Sequence, residues 1–270
     1  MKEPTSDRAN HNTASSQNIA AQDEHQDSID FGFRTVQRSE KAGLVRGVFN
    51  SVAGRYDLMN DLMSGGIHRL WKAAMIDWMA PQPHQNLVDL AGGTGDISMR
   101  FLRKGGGLAY ITDINHAMLQ AGRSRRDLQR IASRLSWCVA NAESLPLDGQ
   151  IADFVTIAFG LRNITDRQAA LNEAYRILKP GGRFLCLEFS HVQNRPLARI
   201  YHNWSFKILP VMGQVVTGDA DSYRYLVESI RTFPTKEVLS DMFAQAGFAQ
   251  IRVRSLSAGI ACIHSGWKLD

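Results

Sequence analysis

The sequence predicts an α/β protein built on a mostly parallel sheet with helices on both faces. Three observations predict it. From residue 86 onward, short apolar runs alternate with helical periods, the rhythm of parallel strands joined by crossover helices. A glycine-rich turn, VDLAGGTGD (88–96), joins the first strand to the first of those helices. The chain closes on two alternating runs, AQIRVRSL and GIACIHSGWK, around a Ser-Ala-Gly loop, which pair as an antiparallel hairpin.

Taken in order, residues 1 to about 35 are rich in Ser, Asn, Gln and Asp and poor in large apolar side chains. Such a leader cannot bury enough surface to offset its ordering entropy, so it is expected to be disordered, with one domain over 36–270. Residues 44–80 carry apolar positions at three- and four-residue steps and read as a helical N-terminal cover, closed by Pro81 and Pro83. Strands follow at 86–91, 108–114, 135–140, 152–159 and 182–190. Helices are predicted at 96–104, 116–132 and 166–179, the last stopped by Pro180-Gly181-Gly182. Residues 191–231 break the rhythm with an aromatic, apolar stretch that reads as a lid-like helical insert after the fifth strand. A helix over 233–248 precedes the hairpin, which brings the sheet to seven strands.

With 270 residues, 44% of them hydrophobic, the chain can bury the core of one domain. Its three cysteines are scattered, with no metal-site or disulfide spacing. A reducing cytoplasm is expected, and no metal. The first residues have no apolar stretch of a secretory signal, and no run of about 18 residues lacks charge. The net charge is +5, which draws a protein toward anionic surfaces. Its densest source is Arg123, Arg125, Arg126, Arg130 and Arg134. That cluster reads as a solvated helix face, with a weak lipid-headgroup contact as the sharper alternative.

The chemistry gathers at the strand ends. Gly92, Gly93 and Gly95 let backbone approach a ligand, and the helix starting at Asp96 aims free N–H groups at it. The spacing is not that of a dinucleotide fingerprint. Asp89, at the end of the strand, suits a ligand amine or a bracing role beneath the loop. Asp113, about 20 residues on and closing the neighbouring strand, can take both hydroxyls of a ribose. Asn141 and Ala142, after the third strand, can offer a side-chain amide and a backbone N–H to an adenine edge. Together these point to S-adenosylmethionine rather than a nicotinamide dinucleotide.

Beyond the generic pocket, the blocks YDLMNDLMSGGIHRLWK (56–72), FGLRNITD (159–166), LKPGGRFLCLEFS (178–190) and YRYLVESIRTFP (223–234) resemble the ubiquinone/menaquinone biosynthesis C-methyltransferases. The resemblance runs from about residue 40 to 270. It implies a Rossmann-like, seven-stranded S-adenosylmethionine-dependent enzyme that methylates a ring carbon of a polyprenylated 1,4-benzoquinol or of demethylmenaquinol. It also implies a cytoplasmic protein working at the inner membrane face, beside other quinone-biosynthesis proteins, with a homodimer open to it. By position, Thr94, Asp113, Asn141 and Ala142 would contact the cofactor. One departure is Ala158, where many relatives carry a serine whose hydrogen bond to the cofactor is then missing; another is Ala91 in place of the first loop glycine.

Carbon methylation needs an electron-rich ring, and a phenol, with a pKa near 10, is better used as its anion. A fixed cation within about 4–6 Å lowers such a pKa by roughly 1–3 units, and arginine keeps its charge while doing so. Arg162 is therefore expected to polarise the quinol oxygen, directly or through a water. Asn163 would orient that water or oxygen, and Tyr56 would pack or hydrogen-bond across the ring. The alternative for Arg162 is a salt bridge that ties its loop to a helix. Trp71, Trp78, Trp204, Phe206, Met59, Met63 and Met212 are expected to wall a tunnel for the prenyl tail. A nucleic-acid methyltransferase is the rival suggested by charge, but AFGLRN stands where an N/D-P-P-Y/F motif would be, and no cysteine follows a proline.

Overall fold

Segments with unbroken apolar runs form strands, and those with three- and four-residue apolar steps form helices. A computed structural model describes residues 28–52, 61, 64–192, 199 and 220–270. A hairpin of β1 (Ser28–Phe31) and β2 (Arg34–Gln37) leads into α1 (Arg38–Val52), and α2 (His68–Met79) precedes the first sheet strand, β3 (Asn86–Leu90). Next come α3 (Asp96–Arg103), β4 (Leu108–Asp113), α4 (His116–Arg123), α5 (Arg126–Gln129) and β5 (Leu135–Val139). The second half runs β6 (Ala152–Ala158), α6 (Arg167–Ile177), β7 (Leu178–Phe189), α7 (Ala220–Arg231), α8 (Lys236–Gln245), β8 (Ala249–Leu256) and β9 (Ala261–Trp267).

Apart from the β1–β2 hairpin, the strands form one seven-stranded sheet in the order β5-β4-β3-β6-β7-β9-β8. All neighbours are parallel up to β7, and β9 runs antiparallel to both β7 and β8. The chain builds outward from β3 through β4 to β5, then crosses back to β6. Strand order thus reverses between β3 and β6, which opens a crevice at their carboxyl ends.

Both faces of β3 are covered, so its apolar residues split between two cores. Leu87 packs with Met75 of α2, Phe101 of α3 and Leu226 of α7. Val88 and Leu90 face the other way, toward Leu171 of α6 and Phe243 of α8.

Four expectations change. Strands β1 and β2 occupy 28–37 and so overlap the segment expected to be disordered, because Phe31 stacks on Tyr225 at 4.2 Å and Phe33 N–H donates to Glu228 at 3.1 Å. The single helix expected over 116–132 breaks after Arg123, where the Ser124 hydroxyl bonds back to the Gln120 carbonyl at 2.9 Å and competes with helix propagation. The break also divides the basic cluster: Arg123, Arg126 and Arg130 stay exposed, while Arg125 pairs with Asp127 at 2.9 Å and Arg134 donates to the Gly106 carbonyl at 3.2 Å. Pro180-Gly181-Gly182 does not precede the fifth strand but lies within it, as an irregularity between the Ala152–Leu178 and Phe154–Arg183 pairs. Of the insert, 193–198 and 200–219 lie outside the described residues.

Glycine has opposite consequences on two helices. A methyl group on Gly122 of α4 would stand 2.6 Å from the Trp137 ring and 3.0 Å from the Thr94 backbone, whereas nothing lies within 4 Å of one on Gly47 of α1. We expect Gly47→Ala to stabilise by about 0.5–1 kcal/mol, the ordinary helix preference. Gly122→Ala should instead destabilise by roughly 1–3 kcal/mol, through overpacking. Urea midpoints of the two variants will show the opposite signs.

Candidate active site

The crevice at the switch point encloses about 1090 Å³ of empty space, its open mouth included. Its floor is the β3–α3 loop, where Ala91, Gly93 and Gly95 take left-handed φ values of 48°, 54° and 79°. The loop rests on Asp89, which is fully buried. Asp89 accepts from the Ser98 hydroxyl at 3.0 Å and the Thr156 hydroxyl at 2.8 Å, and a methyl on Gly92 would lie 3.0 Å from its Oδ2. Gly92 is thus required by the carboxylate beneath it together with the Ile111 side chain, whose Cγ2 would lie 2.8 Å from the same methyl. Burial pushes the Asp89 carboxyl up to about 7, against the pull of those hydroxyls. Asp89 lines the crevice as well as bracing the loop.

Asp113 closes β4 one strand over. Its two oxygens accept from Gly93 N–H at 3.0 Å and Asn115 N–H at 2.8 Å. Burial pushes its carboxyl up to about 6, the two backbone donors opposing it. Asn115 caps α4, which leaves the spare lone pairs of Asp113 for a ligand. Asn141 is exposed and Ala142 buried. The Asn141 Oδ1 accepts from Glu143 N–H at 3.1 Å, so its side-chain N–H groups are not spent on that turn. The Thr94 hydroxyl accepts from Arg125 at 3.4 Å. Gly92, Thr94, Asp113, Asn141, Ala142 and Asn163 all face this one crevice.

Arg162 does not. It sits in the short helical turn Leu161–Asn163 after β6, with 1% of its surface exposed. Its Nη1 pairs with Glu188 of β7 at 3.1 Å and also donates to the Phe159 carbonyl. Its backbone N–H donates to Glu188 Oε1 at 3.2 Å. The structure turns the Arg162 guanidinium to a buried carboxylate rather than into the crevice, so the expected direct polarisation of a substrate oxygen has no direct contact with the crevice behind it. The salt-bridge alternative is what the geometry contains, with strand β7 rather than a helix as the partner.

Asn163 faces the crevice from this loop, together with Phe159, Gly160, Ile164 and Thr165. The Tyr225 hydroxyl donates to Asn163 Oδ1 at 3.1 Å, and Asn163 Nδ2 donates to the Phe159 carbonyl at 3.5 Å. A carbonyl only accepts, so these two contacts fix which way the amide points. Burial pushes the Tyr225 hydroxyl up to about 12, Arg162 and Arg167 opposing it, and it stays a donor. Phe159 itself holds a left-handed φ of 58°, a conformation that costs of order 1–3 kcal/mol for such a residue.

The cover comes from α1, whose Val45, Arg46 and Phe49 line the crevice, and from Lys72 of α2. Lys41 of α1 is 1% exposed and reaches the Ile164 carbonyl at 3.5 Å; burial, then Arg167, draws its ammonium down to about 8. Tyr56, Met59, Met63, Trp204, Phe206 and Met212 lie outside the described residues. Trp71 packs on Phe159, with ring centroids 6.3 Å apart. Trp78 does not join it. Its ring lies under Arg183 and Arg254, at 4.6 and 4.0 Å, near the amino end of β7 and so away from the crevice. Tyr225, Glu188, Lys72 and Lys41 were not singled out in the sequence; each sits inside a helix or strand pattern that reads as ordinary packing.

Comparison with known proteins agrees with this geometry. The profile of the ubiE/COQ5 methyltransferase family matches residues 13–268. The ubiquinone/menaquinone biosynthesis C-methyltransferase UbiE of Cereibacter sphaeroides is 55% identical over 248 residues, 92% of this chain and 99% of that one. Its Acidiphilium cryptum counterpart is 55% identical over 247 residues, again 92% and 99%. Among solved structures, a SAM-dependent methyltransferase from Thermotoga maritima superposes with a TM-score of 0.59 at 20% identity, over 83% of this chain and 99% of that one. The phosphoethanolamine N-methyltransferase 2 of Haemonchus contortus, solved with S-adenosyl-L-methionine, gives 0.56 at 14% identity, over 74% and 52%. These structures share the fold.

The Arg162–Glu188 pair yields a stability test. Arg162→Met leaves Glu188 buried and uncompensated, and should destabilise by about 3–5 kcal/mol. Adding Glu188→Leu should restore most of that. Denaturant unfolding of the single and double variants reads the difference; a single-variant loss below about 1 kcal/mol would show that the pair does not hold the loop.

Proposed function

The chain belongs to the ubiE/COQ5 methyltransferase family, and from that premise we propose that it methylates a ring carbon of a polyprenylated benzoquinol or demethylmenaquinol with S-adenosylmethionine as donor. The observation that carries the reading is 55% identity, over 92% of the chain, to enzymes named for ubiquinone/menaquinone biosynthesis. The crevice suits the cofactor. Asp113 keeps acceptor capacity for a ribose, Asn141 and Ala142 edge the adenine end, and the Gly93 and Thr94 turn supplies a backbone cradle. Bound there, the cofactor supplies an electrophilic sulfonium methyl group.

The chain's own residues do the rest. Asn163 is the polar group that the β6 loop presents to the ring. Its Oδ1 is occupied by Tyr225, so what it offers is an N–H, a donor to the quinol oxygen once that oxygen has passed its proton to solvent water; the ring carbon would then take the methyl and give up its own proton, which restores the O–H. Arg162 is a positioning residue in this scheme: with Glu188 it holds the Phe159 carbonyl and the turn that carries Asn163. Val45, Phe49 and Phe159 make an apolar wall that excludes water and strengthens the Asn163 donor. Such a wall also suits the start of a prenyl chain. No helix among the described residues is long and apolar enough to cross a membrane. An apolar-tailed substrate is then reached from the bilayer surface, where the exposed Arg123, Arg126 and Arg130 suit anionic headgroups.

Transfer of radiolabelled methyl from S-adenosylmethionine to a short-tailed demethyl quinol, followed by mass spectrometry, tests the reading. A ring-methylated product is expected, and absence of label from the quinol with label in RNA would overturn it. In the same assay Asn163→Leu should lower kcat by about 10²–10³-fold, the range for losing one such donor, with cofactor Kd unchanged. Tyr225→Phe should lower kcat by a smaller factor with the same unchanged Kd.

A further inference from the structure

One charged cluster in the crevice has no use in the scheme above. Lys72 of α2 and Asp96 at the start of α3 both line it. Lys72 is 4% exposed, and its Nζ donates to Asp96 Oδ2 at 2.9 Å. The other oxygen of Asp96 accepts from Arg100 Nε at 3.1 Å. Burial works against the Asp96 anion, but Lys72 and Arg100 outweigh it and hold the carboxyl below its ordinary value.

The count of charges is uneven. One carboxylate serves two cations, so the cluster as a whole carries a net positive charge, with Lys72 and Asp96 lining the crevice and Arg100 outside its lining. Asp96 already has Arg100, so neutralising Asp96 does not explain a second buried cation. Asp96 is the salt-bridge partner of Lys72 among the described residues, and an ammonium has three N–H donors. A buried charge calls for pairing, and Lys72 has donors to spare toward the open space. Arg46 also lines the crevice, but it is exposed on α1, where solvent screens it.

The position is specific too. Asn141 and Ala142 mark one end of the crevice, Asp113 the next strand, and the glycine loop the next. Asp96 follows that loop directly, so Lys72 stands at the end remote from the adenine contacts. We propose that Lys72 receives the α-carboxylate of the amino-acid end of the cofactor, and that Asp96 is a positioning residue which aims the Lys72 ammonium. The inference rests on the S-adenosylmethionine reading and assigns the carboxylate, the group for which the cofactor contacts above give no partner.

Calorimetry with two ligands separates this from a structural role. The probes are S-adenosylhomocysteine and its decarboxylated analogue, which lacks only the carboxylate. The intact protein should bind the analogue about 10- to 100-fold more weakly, the range of one hydrogen bond to a charged group. In Lys72→Met the two ligands should bind with nearly equal Kd, and Lys72→Arg should keep most of the discrimination. Equal binding of both ligands by the intact protein would overturn the proposal, as would a Lys72→Met variant that still discriminates between them. The intact-protein ratio stands even if a variant fails to fold. If the intact protein binds neither ligand, the cofactor reading itself fails, and this assignment with it.

Discussion

The buried pair of Arg162 and Glu188 is the constraint on which the geometry of the site depends. β6 must stop at the sheet edge and turn sharply enough to bring a polar side chain over the crevice. It does so through Phe159, whose left-handed φ of 58° is unfavourable for a side chain of that size. Such a conformation survives only when the surroundings over-determine it. Here Arg162 binds the Phe159 carbonyl, Glu188 takes both the Arg162 guanidinium and its backbone N–H, and Phe159 N–H is held by the Leu187 carbonyl at 2.8 Å. All of these partners belong to β7 or to the turn itself. The strain of the loop is thus balanced against the sheet rather than against a mobile surface group.

The same loop collects contacts from elements far apart in the chain. Lys41 of α1 reaches Ile164, Glu143 after β5 accepts from Thr165 N–H at 3.0 Å, and Tyr225 of α7 holds Asn163. The N-terminal hairpin stacks on that same Tyr225 through Phe31. The cover over the crevice and the polar group inside it are therefore ordered by shared side chains. A loss of packing at the hairpin would be felt at the Asn163 amide through a single aromatic ring.

Much of the fold was legible because its signals are local. Unbroken apolar runs such as ADFVTIA read as strands buried on both faces, and the glycine loop reads as a turn whatever lies around it. That Gly92, Thr94, Asp113, Asn141 and Ala142 share one crevice was legible for the same reason, since each lies at or shortly after the end of a strand. What was not legible depends on partners distant in sequence. Arg162 beside an asparagine looks like a group for substrate; only the fold brings Glu188, 26 residues away, to its side. SIDFGFRTVQ looks polar and loose, and nothing local announces that Phe31 will stack on a tyrosine 194 positions on. The Ser124 hydroxyl that breaks α4 competes with a helix that the periodicity alone would continue.

Electrostatics completes the division of labour inside the crevice. Burial raises Asp89 to about 7 and Asp113 to about 6, so neither carboxylate is as strongly ionised as it would be in water. Both are compensated by hydrogen-bond donors, hydroxyls for Asp89 and backbone N–H groups for Asp113, and not by cations. The cations are placed elsewhere: Arg162 behind the Phe159 turn, Lys72 and Arg100 on Asp96. A sulfonium is itself positive, and a site with a bare cation beside it would oppose its binding. Committing Arg162 to Glu188 removes that repulsion near the reacting end, whereas a positive excess at Lys72 is useful where a carboxylate must be held. On the proposed reading, a neutral Asn163 donor would stabilise negative charge on a ring oxygen without repelling the group that carries the methyl.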